Sequence, residues 1–325
     1  MTPSVVVTGA AGFIGSHVCR ALVEAGHAVV GVDNFDPYYA RALKERALAP
    51  LRAGRAFRLV EGDVRDTGLM RRVLQGASAL VHLAARAGVR ASVEDGAVYW
   101  DVNVAGTASV LEACCSAGVR RVVAASSSSV YGASAIPFRE DTALPAPLSP
   151  YAATKTAMED LVRGWAARGS GRGVVLRLFS VYGPGQRPDQ AVHRFVRAAL
   201  ARGPVERYGG GDSARDYTHV HDVTRGILAA LRHTRGPGVP CLVVNLGSGR
   251  ATILNALLQM IGEVLGPLRV SPVESHPADV PVTLADIALA RQVLGYAPRV
   301  PLEQGILDVI EWCEAGYEGQ SRAAS

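Results

Sequence analysis

Val5-Val6-Val7-Thr8-Gly9-Ala10-Ala11-Gly12-Phe13-Ile14-Gly15 runs directly into Ser16-His17-Val18-Cys19-Arg20-Ala21-Leu22. The β-branched run reads as a short buried strand and the last stretch as a helix. The glycines turn the chain tightly and let a pyrophosphate approach the backbone. The helix that follows presents N–H donors and the positive end of its dipole to the turn. Strand, glycine turn and helix in this order make a Gly-rich motif informative for dinucleotide binding. Gly9, Gly12, Phe13, Ile14 and Gly15 are therefore candidate cofactor contacts. Working outward, further strands are predicted at 28–32, 57–61, 79–85, 121–125, 173–179 and 241–247. Helical stretches alternate with the first of them, which predicts an α/β fold with a doubly wound parallel sheet.

The tips of these strands carry the candidate chemistry. Asp33, with Asn34 after it, ends the second strand, where an acid accepts from ribose hydroxyls and repels a 2′-phosphate; NAD is favoured over NADP. Lys44 reads either as reaching the adenosine side or as a solvated cation. Asp63 and Val64 frame the adenine, or Asp63 caps the next helix. The fourth run ends in small residues that admit a cofactor. Ser126-Ser127-Ser128-Ser129 follows the fifth strand, at the carboxyl end where such sheets bind ligands. About twenty residues on, Tyr151-Ala152-Ala153-Thr154-Lys155 puts a Tyr above a Lys in the first turn of a helix started by Ser149-Pro150. An ammonium beside a phenol favours the phenolate, which can take a proton from an alcohol. The plain alternative is two residues sharing a surface. Of 34 basic residues only Lys44 and Lys155 are lysines, and Lys, unlike Arg, has a movable pKa.

Composition excludes other classes. The 325 residues are 49% hydrophobic and 19% charged, with a net charge of +5. Without a basic run interleaved with aromatics, no nucleic-acid partner is expected. No secretory signal and no run of 18 apolar residues is present, so no membrane partner is expected. Five cysteines without a C-x-x-C pair read as buried free thiols of a reducing, cytoplasmic compartment. His219-x-His221 lacks a third ligand, and no metal is expected.

Together, Gly-x-x-Gly-x-x-Gly at 9–15, Asp33, His82-Leu83-Ala84-Ala85, the serines with Val130-Tyr131-Gly132, and Tyr151-x3-Lys155 resemble the extended short-chain dehydrogenase/reductase family of nucleotide-sugar enzymes. The likeness runs along nearly the whole chain. It implies a Rossmann-type domain of residues 1–180 plus about 216–247 that binds NAD. A smaller UDP-sugar domain would comprise about 181–215 plus 248–325. The resemblance further implies tightly bound NAD recycled in each turnover, Ser127, Tyr151 and Lys155 as the catalytic set, and Leu83, Ala84, Ala85, Asn103, Tyr151 and Lys155 beside the cofactor. It also implies a homodimer built on the helices after Asn103 and Tyr151. Arg215, in Arg215-Asp216-Tyr217, stands where the family holds the substrate diphosphate; a surface Arg is the alternative.

Within the family the chain is most similar to UDP-glucuronate 4-epimerases. Val32-Asp33-Asn34-Phe35-Asp36-Pro37-Tyr38-Tyr39, Ala87-Gly88-Val89-Arg90, Val181-Tyr182-Gly183-Pro184, Arg187-Pro188-Asp189 and Asp279-Val280-Pro281 carry that likeness. It implies reversible C4 epimerisation of UDP-glucuronate to UDP-galacturonate through a 4-keto intermediate. The implied substrate contacts are Arg90, Ser127, Ser128, Ser129, Tyr151, Ser180, Arg187, Tyr208, Arg215 and Asp279. A UDP-glucose/UDP-galactose 4-epimerase is the near alternative, and a UDP-glucuronate decarboxylase or a non-catalytic NAD-binding regulator the more distant ones. Ser129 stands where the related dehydratases and decarboxylases carry an acid, which argues against both reactions. Ser180 replaces an Asn or Thr of the epimerases, and Ser275-His276-Pro277 replaces an Arg-containing stretch.

Overall fold

The computed structural model describes residues 3–236, 238–274 and 279–323, so Ser275-His276-Pro277 lies outside the described residues. Val5–Thr8 (β1), Val29–Asp33 (β2), Phe57–Glu61 (β3), Ala79–His82 (β4), Arg121–Ser127 (β5) and Arg172–Leu178 (β6) join Cys241–Leu246 in one seven-stranded sheet. The order is Cys241–Leu246, β6, β5, β4, β1, β2, β3, and every pairing is parallel. Phe13–Glu24 (α1), Arg41–Arg52 (α2) and Val220–His233 contribute to the core on one face. Thr67–Leu74 (α3), Gly106–Ala117 and Pro150–Ala167 contribute to the core on the other. With both faces covered, β1 and β4 are buried residue for residue, which is why they read as unbroken apolar runs.

Most strand bounds lie within one residue of the sequence reading; two ends differ by more, and both shape the site. β4 stops at His82 instead of continuing to 85, because its partner β1 ends at Thr8. The Thr8 hydroxyl oxygen then takes the Leu83 and Ala84 N–H groups at 3.2 and 3.3 Å. β5 instead continues to Ser127, which pairs with Leu178 of β6. Ladder bonding thus carries Ser126 and Ser127 to the carboxyl end of the sheet.

A third core of Tyr182, Val192, Phe195, Leu257, Ile261 and Ile306 lies in the second half of the chain. The buried Asp216 ties this region together. It accepts from the N–H groups of Ser248, Gly249 and Ala285 and from the hydroxyls of Thr218 and Ser248. The cysteines are free thiols, but contrary to the all-buried expectation Cys241 is half-buried and Cys115 is exposed; Cys115 follows core-facing Cys114 on the outer side of its helix. Among the described residues, no helix is long and apolar enough to cross a membrane, and no cluster of metal-ligating groups forms.

Candidate active site

A cleft of about 590 Å³ opens at the carboxyl ends of the strands. Its floor is the glycine turn. Gly9 has a φ of +69°, and a Cβ there would lie 2.8 Å from the Ala84 nitrogen. A Cβ on Gly15 would lie 1.9 Å from the Gly9 oxygen. No side chain caps α1 at Gly12, and its first turn carries no acid. A cradle open at a helix N-terminus fits a pyrophosphate.

Asp33 latches this turn to β2. One carboxylate oxygen accepts from Ala11 N–H at 2.9 Å and the other from Phe35 N–H at 2.8 Å. Lys44 is buried in the cleft wall and is not a solvated cation. Its ammonium donates to the Asp36 carbonyl at 2.9 Å and lies 3.9 Å from Asp33. Asn34, Asp63 and Val64 line the same end. Arg65 grips Asp63 and holds its carboxyl down to about 2. The helix cap is Asp66, which accepts from Leu69 N–H at 2.8 Å, so capping is not the work of Asp63. Phe13, Ile14, Leu83, Ala84 and Ala85 also face the cleft.

Asn103 does not reach the wall. Its amide donates to the Arg86 carbonyl and the Thr154 hydroxyl, both at 3.0 Å, and accepts from Arg86 N–H at 2.7 Å. These bonds take both amide protons and one lone pair of the amide oxygen, and they brace the helix that carries Tyr151.

That helix is set by its start. The Ser149 hydroxyl accepts from Ala152 N–H at 3.1 Å, with Pro150 in the first turn. Tyr151 and Lys155 fall one turn apart and face the cleft with Ser127. The Lys155 ammonium lies 5.9 Å from the Tyr151 ring centre and donates to the Ala125 carbonyl at 2.8 Å. The expected depression of the phenol by Lys155 is not what the protein alone produces. Burial pushes the Tyr151 phenol up, while the Ser127 hydroxyl and the Arg187 guanidinium pull it down. Burial also lowers Lys155 to about 8, against the opposing charge of Glu159.

Behind this pair lies a group that sequence reasoning missed. Glu159 is fully buried and takes both arms of Arg177 at 2.9 and 2.8 Å, with the Ser126 hydroxyl at 2.6 Å. It locks the Tyr151 helix to β5 and β6. The available signal was a charge inside the strand run Val174-Val175-Leu176-Arg177-Leu178.

At the other end, Ser128, Ser129, Ser180, Arg187, Arg215 and Asp279 line the cleft. Arg187 forks onto Asp189 at 2.9 and 2.7 Å, and the Tyr38 hydroxyl donates to the same carboxylate at 3.2 Å. Arg215 is anchored through the Ala214 and Pro281 carbonyls at 2.9 and 3.1 Å. Arg90 and Tyr208 lie outside the wall. Arg90 is drawn onto Asp279, itself a wall residue, at 2.5 Å and over the Tyr208 ring at 3.9 Å, an ion pair and a cation–π contact.

The description "NAD dependent epimerase/dehydratase family" matches residues 5–247. The chain belongs to this family. A UDP-glucuronate 4-epimerase of Thermodesulfobacterium geofontis is 37% identical over 317 residues, spanning 96% of this chain and 97% of that one. The solved UDP-glucuronic acid 4-epimerase from Bacillus cereus, in complex with UDP-glucuronic acid and NAD, superimposes with a TM-score of 0.92 at 35% identity, over 97% of this chain and 100% of that one. MoeE5 in complex with UDP-glucose and NAD gives a TM-score of 0.86 at 41% identity, over 97% and 99% of the two chains. As an NAD-dependent epimerase/dehydratase, the chain has what the dinucleotide needs: a cradle closed to a Cβ at Gly9 and Gly15, an uncapped helix start and an acid at the tip of β2.

Proposed function

We propose that this protein is an NAD-dependent UDP-sugar isomerase that reversibly converts UDP-glucuronate to UDP-galacturonate by inverting C4. The observation that carries the reading is convergence on one cleft. Ser127, Tyr151 and Lys155 stand there as proton-handling groups, and Ser128, Ser180 and Arg187 as hydroxyl and cationic groups suited to a carboxylate. Relatives bearing the name UDP-glucuronate 4-epimerase match 96–97% of this chain.

NAD, when bound, accepts a hydride from C4 and gives it back. Tyr151 takes the proton of the C4 hydroxyl and Ser127 hydrogen-bonds the same oxygen. After the 4-keto sugar has turned, Tyr151 returns the proton and C4 is inverted. Lys155 holds the cofactor side of the pair. The intermediate is a β-keto acid, and it loses CO2 only when the carboxylate bond aligns with the carbonyl π system. Ser180 and Arg187 pin the carboxylate out of that alignment. At the cofactor end Asp33 takes the ribose, with Asn34, Lys44, Asp63 and Val64 around the adenosine. Arg215 holds the substrate diphosphate, with Asp279 beside it.

In this reading residues 1–180 and about 216–247 bind NAD, and about 181–215 and 248–325 bind the UDP-sugar. The protein works as a cytoplasmic homodimer. Free thiols agree with a reducing compartment, and Trp100, 46% exposed just before Gly106–Ala117, offers apolar surface at the proposed dimer helices. MoeE5 bound to UDP-glucose keeps a neutral sugar as the second reading.

The test is incubation of the purified protein, without added NAD, with UDP-glucuronate, followed by proton NMR. UDP-galacturonate without CO2 is the expected product. UDP-pentose would make the protein a decarboxylase. Turnover of UDP-glucose alone would overturn the carboxylate reading.

A further inference from the structure

A hydroxyl has one proton and two lone pairs. The Ser127 oxygen accepts from the Ser129 hydroxyl at 3.0 Å and from the Ser129 backbone N–H at 3.2 Å. Both lone pairs are then taken. What Ser127 retains is its proton, and the Tyr151 oxygen is the group it meets in the cleft. We propose that Ser129 is a positioning residue for the C4 reaction: its hydroxyl and N–H together make Ser127 a one-way donor, aimed at the Tyr151 oxygen and then at the C4 oxygen. The inference rests on the reading of Tyr151 as the base. It also moves Ser129 out of the carboxylate-binding set that the resemblance implies.

A fixed donor discriminates between the oxygens it meets. A phenolate and a ketone oxygen only accept, whereas a phenol and an alcohol also donate. Ser127 held as a donor therefore favours the phenolate before proton transfer and the 4-keto sugar after it. A donor oriented in advance needs no reorganisation when charge develops. Toward a substrate carboxylate the position is the reverse. Ser129 has given its proton to Ser127 and has only lone pairs left, so it repels an anion that also only accepts. Ser128, Ser180 and Arg187 keep donors for that task.

The same geometry says what an acid at this position does. A carboxylate at 129 accepts the Ser127 proton, leaves Ser127 nothing to give Tyr151, and sets a negative charge near the phenol. The other charged and titratable groups around Tyr151 are the Arg187 guanidinium, the Tyr99 ring at 6.1 Å, and Lys155 on its own helix.

The test uses the holoenzyme with Ser129→Ala, Ser129→Thr and Tyr151→Phe, alone and combined. The Tyr151 phenol is titrated by ultraviolet difference between each protein and its Tyr151→Phe counterpart. In Ser129→Ala the phenol titrates at higher pH, kcat near neutral pH falls about tenfold, and KM stays within about twofold. Ser129→Thr, which keeps the hydroxyl, restores both. A rise in KM with an unmoved titration would make Ser129 a substrate ligand and overturn the proposal. Unchanged kcat and titration would also overturn it. The titration needs no sugar, so a wrong substrate leaves it intact. Full turnover by Tyr151→Phe would instead remove the base reading itself.

Discussion

Replacing Lys155 by Met should abolish turnover and stabilise the protein. The ammonium is buried, and folding lowers its pKa from 10.5 to about 8. At about 1.4 kcal/mol per pH unit, holding the charged form inside costs about 3 kcal/mol below pH 8. Met keeps the unbranched stem and removes the charge. The substitution also strips the Ala125 carbonyl of its donor at 2.8 Å, a loss of about 1 kcal/mol. Desolvation is the larger effect, so the variant should be about 2 kcal/mol more stable at pH 7. The pH dependence has a definite sign. Between about 8 and 10.5 the unfolded chain binds this proton and the folded chain does not, so wild-type stability rises through that window. The advantage of the Met variant should therefore be full at pH 7 and fade toward pH 10.5. Urea unfolding of both proteins, stripped of nucleotide, at pH 7 and pH 10 measures it, with the difference between proteins cancelling other titrating groups. A variant less stable at pH 7, or an advantage equal at both pH values, would refute the reasoning.

Glu159→Ala leaves Arg177 charged and unpaired in the core, which should cost about 3–5 kcal/mol in urea unfolding. The double change Glu159→Leu with Arg177→Met should recover most of it, and a double variant as weak as the single one would show that the pair is not the cause. Gly15→Ala places a Cβ 1.9 Å from the Gly9 oxygen and forces the turn open. The purified variant should lose its retained NAD, measured as nucleotide released on denaturation; full retention would place the pyrophosphate elsewhere.

The sheet was legible because each parallel strand, buried on both faces, is written as a continuous apolar run, and because Gly9 to Gly15 tolerates no substitute at its two crowded positions. That Tyr151 and Lys155 share a face was legible from spacing, since a helix turn converts four residues into one face, whereas their reading as a catalytic pair came from the resemblance. What spacing does not encode is which partners a group has already taken. Asn103, named beside the cofactor, turns out to hold Arg86 and Thr154 through its amide. Arg90 looks like a free cation until Asp279, far along the chain, claims it. The sign of the Tyr151 shift failed for a related reason. Local sequence supplies the neighbouring ammonium, but desolvation belongs to the whole fold, and here it outweighs the neighbours.

The two lysines show how far composition can be taken. Among 34 basic residues they are the exceptions, and both are buried, at 6% and 4% exposure. A buried Arg needs a partner for its fork, and Arg177 has one in Glu159. The site at 155 offers a single carbonyl, which a compact ammonium can use and a five-donor guanidinium cannot satisfy. Arg would also stay charged whatever the burial, whereas Lys yields to it and comes to about 8. Lys44 follows the same logic, a point charge fitted between the Asp36 carbonyl, the Asp33 carboxylate and the Tyr39 ring. In a chain that uses Arg for its surface, both Lys stand at buried sites where the ammonium has a single backbone carbonyl to donate to.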